Sequence, residues 1–171
     1  GSHQGDSTTR RAHSLCEQAL AHAAHGDLPA ADAQLREAIA AAPQAPRAYI
    51  ELARLQQRMG RSSEALATLL KLEQTAPTAL PLAATLLVEV AGAAQRTDEV
   101  YDLLVARYTQ APSLDLLESI VSMDLASGNT QAPGREWYVR HLDKEPSLTA
   151  APQSLAGESL DRPLTYQALN P

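Results

Sequence analysis

Four side chains near the N-terminus have the types and spacing for metal chemistry. His13 and Cys16 stand three residues apart, as do His22 and His25, so each pair shares a face if the segment is helical. Neither pair completes a zinc site, because no carboxylate or further cysteine extends it and Cys16 is the only cysteine. That lone thiol forms no internal disulfide and fits a reducing compartment. As a nucleophile it would need a base and an electropositive setting that the sequence does not reveal, so Cys16 reads as a half-buried apolar residue and His22 as a packing residue of its helix. No glycine-rich phosphate loop, nucleophile elbow or zinc-protease helix motif occurs, and Asp and Glu are scattered over solvent-facing positions. The expectation is therefore no catalytic residue, no metal and no cofactor within these residues.

Recognition chemistry is better represented. Arg47 and Arg54 lie seven residues apart with Ile50 between them, a pattern that puts two guanidinium groups and one apolar anchor on one helix face. Such a face suits an acidic or carbonyl-rich peptide. The formal net charge of −6 and pI near 5.3 provide no basic field for phosphates or for an anionic membrane surface, which argues against nucleic acid as a partner. Trp137 and Tyr138 read as core residues rather than as a stacking platform for a ligand.

The elements that must position these residues follow from composition and periodicity. Ala and Leu dominate and Phe is absent, a balance that favours helices over strands. Gly26 recurs as Gly60, Ala31 as Ala65, Leu35 as Leu69 and Pro43 as Pro77, all at a spacing of 34, and Pro112 after 35 residues and Pro146 after another 34 continue the series. Within a unit, Tyr49, Leu52, Ala53 and Leu55 form one helical stripe, Gly60 breaks it, and Ala65, Leu66, Leu69, Leu70 and Leu72 form the next. Gly26 and Gly60 suit left-handed helix ends, Pro29 a first helical turn, and Ser62 or Ser63 a cap. Each proline of the 34-residue series ends a second helix. The pattern predicts helices near 10–25, 28–41, 46–59, 62–75, 80–94, 97–110, 113–127 and 131–145.

Three regions result. Residues 1–9 are a polar, frayed leader whose Gly1, Ser2 and His3 resemble a cleaved tag; residues 10–147 carry about four helix pairs; residues 148–171 supply a capping helix within 153–160 and an extended tail. The most apolar stretch, residues 79–94, contains Glu89 and is shorter than the about 20 residues that span a bilayer, so no direct membrane insertion is expected.

The repeat resembles the tetratricopeptide family through Ala19, Gly26, Leu28, Ala31, Leu35, Ala38 and Pro43, and then Tyr49, Leu52, Ala53, Gly60, Ala65, Leu69 and Pro77. The third unit keeps Leu87, Val88, Val100 and Leu104 but has Gln95 where glycine is usual. The fourth keeps Gly134, Tyr138 and Pro146. The resemblance implies an all-α fold in which helix-turn-helix repeats stack into a right-handed superhelix, with the first helix of each pair lining a concave groove. Groove positions off the packing stripe are Arg47, Ile50, Arg54, Gln57, Thr85 and Glu89, flanked by His13, Cys16 and Leu20 and by Ser119 and Met123. The Lys/Asn clamp of the chaperone-binding members is not present. Protein or peptide partners are implied.

Shorter motifs resemble the lipopolysaccharide assembly protein B family of bacterial inner-membrane adaptors. They are Ala12-His13-Ser14-Leu15-Cys16-Glu17, Leu80-Pro81-Leu82 with Gln95-Arg96-Thr97-Asp98-Glu99, Ala111-Pro112-Ser113-Leu114-Asp115-Leu116-Leu117, and Arg140-His141-Leu142 with Glu145-Pro146-Ser147-Leu148. This resemblance implies an adaptor at the cytoplasmic face of the inner membrane, coupling a membrane AAA+ protease to the deacetylase that commits carbon to lipid A. These residues contain neither the family's N-terminal anchor nor its rubredoxin-like metal module, whose paired Cys-x-x-Cys motifs one cysteine cannot build. A general peptide-binding module of secretion or pilus assembly, and the repeat arm of a larger enzyme, stay open beside it.

Overall fold

The computed structural model describes residues 2–128 and 134–144. Among the described residues there is no strand. The elements are α1 (Ser2–Ala24), α2 (Leu28–Ala41), α3 (Pro46–Arg58), α4 (Ser62–Thr75), a 3-10 turn (Pro77–Ala79), α5 (Leu80–Ala94), α6 (Thr97–Gln110), α7 (Leu114–Ser127) and α8 (Gly134–Lys144). The chain adopts the expected all-α helical repeat, in two compact units, Gly1–Thr97 and Asp98–Pro171.

The first two helix pairs are closed by turns of the same construction. Gly26 and Gly60 have φ of 86° and 75°, where a side chain would be strained. The amide of Asp27 donates to His22 O at 2.8 Å and that of Arg61 to Gln56 O at 2.8 Å, while Gly26 donates to Ala23 O at 3.0 Å and Gly60 to Gln57 O at 2.9 Å. This double closure satisfies carbonyls that the end of a helix would otherwise leave bare. The third turn keeps it without glycine: Arg96 donates to Ala91 O at 2.9 Å, and Gln95 itself takes φ of 59°. Gly128, at φ 72°, ends α7 in the same left-handed state.

Unit 1 is built from adjacent hairpins: α1 packs on α2, α2 on α3, α3 on α4 and α4 on α5, and the first helices also touch, α1 with α3 and α3 with α5. Ala31 and Ala65 are 1% and 0% exposed, their small side chains allowing the helices to approach. Tyr49, 1% exposed, donates its hydroxyl to Pro43 O at 2.6 Å and so ties the loop between pairs to the core. At the α1–α3 joint, Arg58 Nη1 donates to Ala23 O near the end of α1 at 3.2 Å. The window Pro77–Ala94 has mean hydropathy 1.4 and is, by length and composition alone, long and apolar enough to cross a membrane. Counting the 3-10 turn extends the apolar window beyond the 79–94 stretch judged too short from the sequence. Seven of its apolar residues, Leu80, Ala83, Ala84, Leu86, Leu87, Val90 and Ala91, are buried, while Leu82 is exposed.

Three expectations need correction. Helix α1 starts at Ser2 rather than near residue 10, because a helix anchored by Ala12, Leu15, Cys16 and Ala19 extends by one backbone hydrogen bond per added residue; residues 5–11 of it are exposed. Neither Ser62 nor Ser63 caps α4, whose N-terminus has no side-chain cap; Ser62 instead donates to Gln57 Oε1 at 2.7 Å. The carboxylates do not all face solvent, since Glu73 and Asp124 are each 5% exposed. The capping helix and tail expected in 148–171 lie outside the described residues.

Asp124 organises unit 2. Its carboxyl accepts from the Tyr101 hydroxyl of α6 and the Gly134 amide that opens α8, a favourable place for negative charge at a helix N-terminus. Oδ2 is itself buried with no hydrogen-bond partner, and a Cβ on Gly134 would lie 2.2 Å from it. This is why the fourth unit needs glycine there. Burial pushes the Asp124 carboxyl above the usual aspartate range despite the two donors that oppose the shift. Around it, Leu117, Val121 and Tyr138 form a core patched by Tyr108, Leu114, Leu125, Trp137 and Leu142.

Three outcomes follow from this packing. Ala65→Leu should overfill the hairpin contact and cost about 1–3 kcal/mol, read by chemical denaturation. Gln95→Gly should raise stability by roughly 0.5 kcal/mol, the relief of a left-handed residue exceeding the entropy glycine adds to the unfolded chain. For Asp124, a raised folded pKa means that the folded chain holds its proton more tightly than the unfolded one. Stability relative to Asp124→Asn should therefore fall as pH rises from about 4, near the unfolded value, through the folded pKa, and then level off. Urea melts of both proteins across that range measure it.

Candidate functional site

The first helices of three successive pairs, α1, α3 and α5, lie side by side within unit 1. Each buries one stripe and turns another outward. On α3 the buried stripe is Ala48, Tyr49, Leu52, Ala53, Leu55 and Gln56, which leaves Arg54 exposed and Arg47, Ile50 and Gln57 partly so. On α5, Thr85 and Glu89 are exposed, and Leu82 is 69% exposed. On α1, His13 and Glu17 are exposed and Leu20 is 38% exposed. All six groove residues expected from the sequence thus sit on these neighbouring helices away from the buried stripes.

Their electrostatic states differ. Arg47 is occupied: its Nη2 pairs closely with Glu17 Oε2, and its Nη1 donates to His13 Nδ1 at 2.6 Å, which requires that ring nitrogen to be unprotonated. The Arg47 hydrogen bond is the main reason the Glu17 carboxyl is held below its usual range. Arg54 keeps 61% of its side chain exposed and has Glu51 Oε1 of its own helix at 3.6 Å. Gln57 is committed to Ser62.

Other candidates are repositioned. Cys16 is 1% exposed rather than half-buried, packed with Ala12, Leu15 and Ala19, and burial raises its thiol pKa; a buried, protonated thiol is a poor nucleophile. Ser119 and Met123 are each 5% exposed, because the packed stripe of α7 includes them. His22 does not fill the core; 43% of its side chain is exposed, with Nδ1 3.9 Å from Asp27 Oδ2, while His25 Nδ1 lies 2.9 Å from Ala21 O. Among the described residues no group of three or more His, Cys, Asp or Glu side chains is placed to hold a metal ion. Tyr138 is buried at 5% and Trp137 stacks on Tyr108 with ring centroids 5.5 Å apart and planes at 14°, so both aromatics pack within unit 2.

The sequence reading missed Glu17 and Asp124. Glu17 was visible as the acid of the turn after His13, and His13 lies 34 residues before Arg47, the repeat spacing itself. Asp124 continues the Leu117, Val121 stripe of α7 at helical spacing, which marks it as inward-facing.

No curated protein matches this chain. Residues 22–90 match the family model of the tetratricopeptide repeat, a stretch running from the end of α1 into α5, and the paired helices around it have the tetratricopeptide-type helical repeat fold.

Proposed function

We propose that this chain is a non-catalytic scaffold that binds a protein or peptide partner on the face built by α1, α3 and α5. The observation that supports the reading is the side-by-side packing of those three helices, with Leu20, Ile50, Arg54, Leu82, Thr85 and Glu89 left outside their buried stripes. A rigid surface binds without the cost of ordering its own backbone. Arg54 is the open cation for a carboxylate or carbonyl, and Ile50 with Leu82 gives apolar footing; interfaces concentrate their energy in such anchors.

The biological role we propose is that of an adaptor limiting lipopolysaccharide synthesis in bacteria, coupling a membrane AAA+ protease to the lipid A pathway deacetylase from the cytoplasmic side of the inner membrane. Its support is the resemblance carried by the His13-Ser14-Leu15-Cys16-Glu17 run and the Ala111–Leu117 and Arg140–Leu142 motifs. Two measurements separate the levels of this proposal. Deleting the gene should raise the steady-state level of the deacetylase, and an unchanged level removes the adaptor role while leaving the scaffold. Arg54→Ala should weaken binding to the purified partner at least fivefold, about 1 kcal/mol, with the same melting temperature as the parent. Unchanged affinity moves the contact off this face. Arg47→Ala is a poorer probe, because Arg47 also bonds to α1.

A further inference from the structure

The Arg47 site already shows what it recognises. On one side of the α1–α3 joint the Arg47 guanidinium of α3 donates both to the His13 ring nitrogen and to the Glu17 carboxylate of α1, so the acid it holds belongs to the chain itself. The pair is open to solvent, with 36% of the Arg47 side chain and 57% of that of Glu17 exposed, so an incoming carboxylate can reach the guanidinium. Exposed ion pairs of this kind hold weakly and exchange readily. The next joint lacks the arrangement: thirty-four residues beyond Arg47 stands Pro81, and the acid nearest Arg54 among the described residues is Glu51 of its own helix.

We propose that Glu17 is a specificity-determining residue of this face, an internal competitor that occupies Arg47 and must be displaced by the carboxylate of an acidic peptide partner. The inference rests on α1, α3 and α5 forming the binding face. A tethered carboxylate competes at an effective concentration of order millimolar. Single or weakly acidic ligands therefore lose to it, whereas a ligand that engages Arg47 and Arg54 together, with an apolar residue over Ile50, can displace it. Glu17 thus selects for partners with two acidic groups spaced to bridge both arginines. His13 stays beside Arg47 when Glu17 swings away, keeping the guanidinium directed to the same place.

The test uses the whole chain and an acetylated, amidated Glu-Leu-Glu tripeptide as the probe, followed through the Arg47 Nε–Hε resonance in parent and Glu17→Gln and through backbone amides in the double variant Glu17→Gln/Arg47→Ala. Glu17→Gln should bind the tripeptide at least fivefold more tightly than the parent, with saturable movement of the Arg47 resonance; in the double variant the gain should vanish, as judged by the backbone amides of α1 and α3. An affinity equal to or weaker than the parent's, no saturable shift in Glu17→Gln, or a gain that survives loss of Arg47 overturns the proposal. Because the probe is a defined peptide, the result separates from the partner experiment. If Arg54→Ala weakens the partner but Glu17→Gln does not tighten the tripeptide, only the competitor role falls. If the reverse is found, the face binds carboxylates but is not where the partner docks.

Discussion

A polypeptide that turns back on itself between two helices, with three residues outside them as at 25–27 and 59–61, places one residue in the left-handed region, and the packing of each hairpin of unit 1 depends on where that residue falls. Gly26, Gly60, Gln95 and Gly128 hold that conformation. Once it is adopted, the 6→1 backbone bonds seen at Asp27 and Arg61 fix the direction in which the second helix leaves. Five residues beyond the left-handed residue, Ala31 and Ala65 are buried where the helices of each hairpin pack. In the last pair Gly134, six residues beyond Gly128, opens α8, where only hydrogen leaves room for the Asp124 carboxyl.

Most of this architecture could be read from the residues, because local chemistry and the global repeat agree. Proline at 43, 77 and 112 stops α2, α4 and α6 one residue or so early, as a ring that crowds the preceding turn must. What could not be read was of another kind. Gln95 violates the glycine preference of its turn, so its conformation is imposed by the flanking helices and not by its own side chain. The length of α1 exceeds expectation because fraying is decided by the free energy of adding one more turn, which composition reports poorly. Buried polar residues such as Asp124 depend on a partner from a distant helix, Tyr101, and periodicity reports the face a residue occupies without naming what it meets there.

The same limit applies to the binding face. Residue spacing placed Arg47 and Arg54 on one surface and treated them alike, yet their environments are opposite: one is engaged by two side chains of α1 and the other faces solvent beside a loosely placed acid of its own helix. The next joint keeps an acid at the place matching Glu17, Glu51, but has Pro81 where the first has Arg47, so the cross-helix pair forms once. Near-identical repeats can thus present unequal chemistry, with the backbone kept constant and the variation confined to the outward stripe.

Trp137, the only tryptophan of the chain, lies in α8, stacked on Tyr108 of α6, and this makes the two units optically distinguishable. Indole emission reports the state of the region around α6 and α8 alone, whereas the far-ultraviolet ellipticity sums over all helices. Tyr49, locked onto the Pro43 carbonyl, is the only tyrosine within Gly1–Thr97. A denaturation curve followed through both wavelengths therefore tells whether the chain melts as one cooperative body or in two stages, without any added label.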